Sequence, residues 1–350
     1  MKEKQALPEV DIRSILAIYG LDTAFGEQTA YIHYIKNDDR EQQVKSILSV
    51  RLASGKRVVI KLLHEDKDFD AEEAKLERQS VFSECLRQNG IQTPMRYQAN
   101  GCYCNTYTYA GLPCHVTIED WCGEEILEIN TDIAYQIGVL LARMHTLSLT
   151  HGWTLGCGTL FSAAYENDVD CYDTFCTITQ NEALDQAIVR QLQRLHDEKL
   201  AAIRAVWEKL PKAGVQGDIS INNLVFGEDE LTVFDYNNAG DEVLVSDLVL
   251  EGLLTAYEMD LPAGIAESYR EKLFPALLDG YLSIRKLSET EAQAAWLVYT
   301  LYHALWFTRV VYNENSLEKL VARKDYAGAN RLLSQMLTDM TENDDGRFRK

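Results

Sequence analysis

The hydrophobic positions of this chain change period about a third of the way along it. Up to residue 121 they run in short alternating or β-branched stretches, the pattern of strands. Thr29–Ile35 (TAYIHYI), Ser46–Ala53 (SILSVRLA) and Arg57–Leu63 (RVVIKLL) are the clearest. Ser54-Gly55-Lys56 joins the last two and predicts a tight turn, hence a hairpin. A polar loop, Lys36–Lys45, precedes it. One helix interrupts the strands: residues 70–89 place apolar side chains at 76, 81, 82, 85 and 86, with Asp70 as N-cap and Gly90 as the stop. Two further strand-like stretches follow at 102–109 and 114–121.

After Gly123 the period turns helical. Asp132–His145 has apolar residues at 133, 137, 140, 141 and 144, and residues 182–210 repeat the pattern up to Pro211. A short β-rich island at 215–235 follows, then helices from about 246 to 340 and a polar tail from 341 that reads as frayed. The change of period predicts an α+β protein of two lobes. Residues 1–118 form a small β-rich N-terminal lobe with one helix, 119–123 a hinge, and 124–350 a larger, mainly helical C-terminal lobe.

Composition narrows the class. With 350 residues, 46% of them hydrophobic, there is material for two domains. The 34 basic residues face 54 acidic ones, and a net charge of −20 argues against nucleic acid or an anionic membrane as partner. No apolar run reaches the ~18–20 residues of a membrane span, and MKEKQALPEVDIRSIL lacks the apolar core of a secretory signal. The 8 cysteines are scattered without a C-x-x-C pair, which predicts reduced, packed thiols in a cytoplasmic protein.

The candidate chemistry lies in Val215–Asn238 (VQGDISINNLVFGEDELTVFDYNN). Two apolar β-runs, Asn223–Phe226 and Leu231–Phe234, flank the turn Gly227-Glu228-Asp229-Glu230. Asp218 precedes the first run, Asn223 opens it and Asp235 follows the second, so a hairpin brings the three side chains to one end. Asn223 and Asp235 offer oxygen donors suited to Mg2+, which takes few protein ligands and fills its shell with water and phosphate. Asp218 is left to accept a proton from a hydroxyl. Metal ligands, a base and a fixed lysine are what phosphoryl transfer requires, because its catalysis is mostly positioning and charge neutralisation.

Gly217-Asp218-Ile219-Ser220-Ile221-Asn222-Asn223, followed by Val233-Phe234-Asp235, resembles the catalytic segment of the aminoglycoside phosphotransferase and choline kinase-like family. The resemblance implies a protein-kinase-like fold, Asp218 as catalytic base and Asn223 and Asp235 as Mg2+ ligands. It further implies that Asp247 braces the catalytic loop and that Lys61, ending Val58-Val59-Ile60-Lys61, contacts the nucleotide phosphates. A glutamate of the following helix should pair with that lysine. Glu73, Glu77 and Glu84 are on offer, and Glu77 is chosen. Ile118-Glu119-Asp120-Trp121-Cys122-Gly123 is similar to the hinge, where backbone groups of Glu119, Asp120 and Trp121 would hold the adenine edge. His145, in the helix end Leu141–His145, reads as structural.

The implied activity is transfer of the γ-phosphate of ATP, or of GTP, to a hydroxyl of a small molecule, and the acidic composition is compatible with a cationic one. Homoserine or a choline-type amino alcohol is the alternative acceptor, and a nucleotide-binding pseudokinase the alternative class. The chain departs from the family at Gln216, which stands where the family has histidine, and at the glycine-free loop 36–45 with Asp38, Asp39 and Glu41. On the acceptor side, residues 289–312 are apolar nearly all round and predict a buried helix. Asp241, Glu242, Glu251, Glu258 and Asp260 are the acidic candidates. Asp168, Asp170 and Asp173 lack the loop glycine and terminal glutamate of a calcium site and read as a polar loop.

Overall fold

In the computed structural model, the described residues are 7–37, 42–65, 67–124, 126, 128–159, 162–164, 171–226, 230–257 and 267–349. Asp38, Asp39, Glu41, Asp168, Asp170, Glu258, Asp260 and the turn residues 227–229 lie outside them. The chain divides into two compact units, Met1–Glu124 with Val225–Asn237, and Glu125–Leu224 with Asn238–Lys350.

The first unit opens with α1 (Glu9–Ile18), a helix that the strand pattern of this third of the chain does not announce. Its Ile12, Ile15 and Leu16, spaced for one helical face, are fully buried against the sheet. The strands are β1 (Phe25–Asn37), β2 (Gln42–Leu52) and β3 (Arg57–His64), then, after α2 (Phe69–Gln88), β4 (Asn105–Tyr109) and β5 (Leu112–Asp120). They form one antiparallel sheet in the order β1-β2-β3-β5-β4. Inward side chains of β2, β3 and β5, such as Leu48, Val50, Ile60, Leu62, Val116 and Ile118, make its core. The cap of α2 is Asp68 rather than Asp70, its side chain accepting from the Ala71 N–H at 3.1 Å. Of the expected apolar stripe, Leu76, Phe82 and Leu86 are buried, while Val81 is exposed.

The second unit begins with α3 (Thr131–His151), capped by Asn130 and ended by Gly152 at φ 63°. Then come α4 (Tyr172–Ile178), α5 (Gln186–Trp207) and β6 (Lys212–Val215). The β7 (Leu224–Phe226) and β8 (Leu231–Val233) hairpin belongs mostly to the first unit. In the second unit β9 (Gly240–Val243) pairs antiparallel with β6 and leads into α6 (Leu244–Tyr257). The chain continues as α7 (Glu267–Ile284), α8 (Glu289–Ala304), α9 (Leu317–Ala322) and α10 (Tyr326–Met340). Helices α3 and α7 approach closely because Gly138 and Gly280 face the partner backbone, where a Cβ would strike the Leu277 or Tyr135 carbonyl. The buried helix expected over 289–312 is α8 as far as Ala304, with Trp296, Val298, Tyr299 and Leu301 buried; a separate helical turn spans Thr308–Tyr312, and Tyr312 is exposed.

The polar tail is not frayed. Phe348 is 1% exposed and packs against Phe274, Trp296 and Tyr299, while Arg347 lies over the Trp296 and Tyr299 rings at 5.1 and 4.9 Å. One buried aromatic and one cation over aromatic faces outweigh the polarity of their neighbours. Among the described residues, no helix is long and apolar enough to cross a membrane, and the 8 cysteines are free thiols.

Candidate functional site

Two clusters of chemistry-bearing side chains stand out, one in each unit. In the first, Lys61 sits in β3 opposite Thr117 of β5. Side chains alternate along a strand, so Glu119, two residues beyond Thr117, shares its face. Lys61 Nζ lies 3.2 Å from Glu119 Oε1 and 3.3 Å from Asp235 Oδ1. The other oxygen of Glu119 faces Arg96 Nη2 at 3.3 Å, and Arg96 Nη1 donates to Ser80 Oγ at 2.7 Å. Burial pulls the Lys61 ammonium toward neutrality, but Asp235 and Glu119 outweigh it and hold its pKa above the ordinary lysine value. Burial likewise pushes the Asp235 carboxyl up, and Lys61 overrides this to hold it below the usual carboxylate range. The pair is charged.

Asp235 adopts φ 55°, a left-handed backbone that aspartate tolerates at a modest cost. Its neighbours fix it there. Tyr236 is buried at 1% exposure, edge-on to Phe82 of α2 at 6.1 Å, and Gln79 of α2 donates to the Asn237 carbonyl at 2.8 Å. The Val233 N–H donates to the Gln92 carbonyl at 3.0 Å, which ties β8 to the 90–94 loop. Asp235 keeps 29% of its side-chain surface exposed, so a carboxylate oxygen remains accessible to a hard cation.

One expectation for this unit needs correction. Glu77 does not pair with Lys61: its carboxylate accepts the N–H groups of Tyr103 and Cys104 at 2.8 and 2.9 Å. The buried face of α2 consists of Leu76, Gln79, Ser80, Phe82, Ser83 and Leu86, so the helix glutamates point elsewhere. Of the hinge backbone groups expected at the adenine edge, the N–H groups of Asp120 and Trp121 are engaged within the unit. Asp120 N–H donates to the Met95 carbonyl and Trp121 N–H to the Arg57 carbonyl, at 2.9 and 3.0 Å, because the segment continues as strand pairing. Glu119 contributes its side chain to the lysine cluster. The Asp120 carboxylate takes Tyr97 Oη at 2.6 Å and Lys56 at 3.0 Å. Trp121 stacks on Tyr31 at 5.8 Å beneath the Arg57 guanidinium at 4.0 Å.

In the second unit the loop carrying Asp218 is held by near neighbours in the chain and by two more distant residues. Gly217, at φ 77°, turns the chain where a Cβ would come within 2.8 Å of the Asn238 carbonyl. Gln216 Oε1 accepts the Asp218 N–H at 2.7 Å, so the residue standing in for histidine still braces the loop. Asn223 Nδ2 donates to the Asp218 carbonyl at 2.8 Å, which leaves its amide oxygen to serve as a metal donor. Asn238 Nδ2 donates to Asp218 Oδ2 at 3.0 Å, and Glu251 of α6 accepts the Ile219 N–H at 2.6 Å.

Beneath the loop, His145 is fully buried between Tyr281 Oη and Asp247 Oδ2, both at 2.8 Å. Burial lowers its pKa, so the ring is neutral. Tyr281 Oη accepts from Arg285, sends its proton to Nδ1, and leaves the Nε2–H for Asp247. His145 and Asp247 thus form one structural network.

The acidic acceptor candidates divide. Asp241 accepts the N–H groups of Leu155 and Gly156 at 2.7 and 2.8 Å, and Glu251 braces Ile219, so both serve the loops. Glu242 is 3% exposed, and burial pushes its pKa up to about 7. Elsewhere in this unit a cavity of about 800 Å3 is lined by Tyr257, Tyr299, His303, Glu271, Asp339 and Glu342, among others. Burial and nearby Arg309 push the His303 pKa down to about 4, so the ring adds no charge, while Arg347 in the same lining pairs with Glu342 and Asp345. Among the described residues no group of three His, Cys, Asp or Glu side chains is placed to hold a metal by itself.

Glu119, Arg96, Gln79 and Asn238 are the polar residues that sequence reasoning missed as side-chain contributors, while Glu251, expected on the acceptor side, braces the Asp218 loop instead. Only Glu119 had a usable signal, the period-two face it shares with Lys61 once β3 and β5 are paired.

No family model matches the sequence, and no curated protein does. Solved structures do match. A microcompartment-associated aminopropanol kinase aligns at 17% identity and a TM-score of 0.59, over 94% of this chain and 97% of that one. An aminoglycoside phosphotransferase from Alicyclobacillus acidocaldarius aligns at 12% and 0.57, over 97% and 96%. The amicoumacin kinase hAmiN, solved with AMP-PNP, Ca2+ and Ami, aligns at 12% and 0.54, over 87% and 90%. A five-stranded antiparallel sheet followed by a mainly helical unit, in this order and over nearly the whole chain, is the protein-kinase-like fold of these small-molecule kinases.

Proposed function

We propose that this chain is a phosphotransferase that moves the γ-phosphate of ATP to a hydroxyl of a small molecule. The observation that carries this is the charged contact of a strand lysine, Lys61, with Asp235 held in a left-handed turn, within a small-molecule-kinase fold. Lys61 binds phosphate oxygens. Asp235 and Asn223 supply the oxygen donors for Mg2+, which when bound would neutralise phosphate charge. Each taken by itself, the partly exposed Asp235 carboxylate and the amide oxygen of Asn223 are donors of the kind a hard cation takes. Asp218, oriented by Asn238 and by the Gln216–amide bond, receives the proton of the attacking hydroxyl on its carboxylate.

The chain's acidic balance is compatible with a cationic acceptor, although the carboxylates of the second unit's cavity, Asp339, Glu342 and Asp345, already pair with Arg309 and Arg347. An amino alcohol suits that balance as well as an aminoglycoside does, and the likeness to an aminopropanol kinase supports keeping both. Domain limits of 1–118, 119–123 and 124–350, use of GTP, and a cytoplasmic location remain parts of this proposal. The test is ADP release with Mg·ATP over a panel of amino alcohols, homoserine and aminoglycosides, for the native chain and for Asp235→Ala. Turnover on at least one acceptor, lost in the variant, is expected. Mg·ATP binding without turnover on any acceptor would favour a non-catalytic nucleotide-binding protein instead.

A further inference from the structure

We infer that Glu119, a strand carboxylate, is the group that positions Lys61 for phosphate binding, and that Arg96 in turn positions Glu119. The inference rests on the phosphotransferase reading. A buried ammonium needs a fixed counter-charge, or it either loses its proton or turns away. The helix that follows β3 supplies none. Its buried face carries Gln79, Ser80 and Ser83, Glu77 is taken up by two backbone N–H groups, and Glu84 is held by Arg87 and Gln88.

The sheet supplies the carboxylate instead. Glu119 lies diagonally across from Lys61 on the same face of β3 and β5, and both side chains are nearly fully buried, at 6% and 5% exposure. One carboxylate oxygen meets Lys61 and the other Arg96, whose backbone bridges antiparallel to Glu119 itself. Arg96 is anchored by Ser80 and lies over the Tyr236 ring at 5.8 Å. The relay therefore runs Ser80, Arg96, Glu119, Lys61, Asp235. A helix-borne carboxylate moves with its helix, whereas Glu119 shares a continuous sheet with the lysine it holds. Lys61 is thus held directly by the sheet, and α2 enters only one step removed, through Ser80 on Arg96 and Gln79 on the turn that carries Asp235.

The experiment is calorimetric titration of the full-length chain with Mg·ATP, with thermal melting run on each variant. Lys61→Met should weaken binding, and Glu119→Gln should weaken it roughly ten- to hundredfold. Glu119→Asp, which keeps the charge on a shorter arm, should recover part of that loss. The Lys61→Met/Glu119→Gln double variant should bind no more weakly than Lys61→Met alone, because the two residues act as one unit. Glu77→Gln should bind as the native chain does. Native affinity in Glu119→Gln, beside a weakened Lys61→Met, would overturn this inference alone. So would additive losses in the double variant, or an Asp variant as weak as Gln. If Glu119→Gln melts early, Glu119→Asp and Arg96→Lys carry the same comparison. Unchanged affinity in Lys61→Met would overturn the phosphate-binding reading and this inference with it.

Discussion

The lysine cluster and the aspartate loop are built in opposite ways. Around Lys61, the charged groups come from β3, β5, the segment after α2 and the turn after β8, and buried ion pairs join them. Around Asp218, the partners Gln216 and Asn223 lie within five residues, and much of the bonding goes to backbone. The first arrangement depends on the sheet being complete. The second combines these local bonds with two longer-range supports, Asn238 on the Asp218 carboxylate and Glu251 on the Ile219 N–H. Buried charges joined over long sequence distances tolerate little change, because removing one leaves the others unpaired in low dielectric. A loop held by neutral hydrogen bonds survives loss of its reactive carboxylate far better.

That contrast can be tested by cutting each support of the second region in turn. The largest effect should come from Asp218→Asn. Turnover should fall about 10²- to 10⁴-fold while the melting temperature stays near native, since the amide still accepts from Asn238. An enzyme within threefold of native turnover would remove Asp218 from the chemistry. His145→Phe should show the reverse. Asp247 would lose its partner at 1% exposure, and urea unfolding should register a loss of about 3–5 kcal/mol. A loss under about 1 kcal/mol would mean that the buried network contributes little.

Gly217→Ala should cost about 2–3 kcal/mol and lower turnover as well, because the added Cβ meets the Asn238 carbonyl and must accept φ 77°. Stability unchanged by this substitution would show that the loop tolerates another backbone path. The smallest effect concerns Glu242, whose folded pKa of about 7 lies above the ordinary 4.5. The folded state then binds the proton more tightly, so stability falls as pH rises from about 4.5 to 7. Glu242→Gln should match the native chain below pH 4.5 and gain on the order of 2 kcal/mol above pH 7. A pH-independent difference between the two would contradict a proton held by burial.

Much of the second region is legible in the amino-acid order alone. Gly217, Asp218 and Asn223 occupy a window short enough for spacing to suggest their chemistry, and the His145 helix carries its own period. The first region is legible only in outline. The β2–β3 hairpin and Lys61 follow from alternation, but the choice of Glu77 as the lysine's partner fails, because helical spacing says which residues share a face and not which face is buried. The hinge backbone raises a related point. Whether an N–H is free depends on the strand beside it, and Met95 and Arg57 take those of Asp120 and Trp121.

Apart from α1, the sequence by itself determined the strand-rich first third with its one internal helix, the helical remainder and the strand lysine, because each depends on residues near one another in the chain. Tertiary structure alone decided that Lys61 is held by Glu119 and Arg96, that Asp235 takes a left-handed backbone, and that the tail buries Phe348. Those outcomes follow from strand register and from which surfaces are left uncovered. Both are fixed by contacts between distant segments, where local periodicity carries no information.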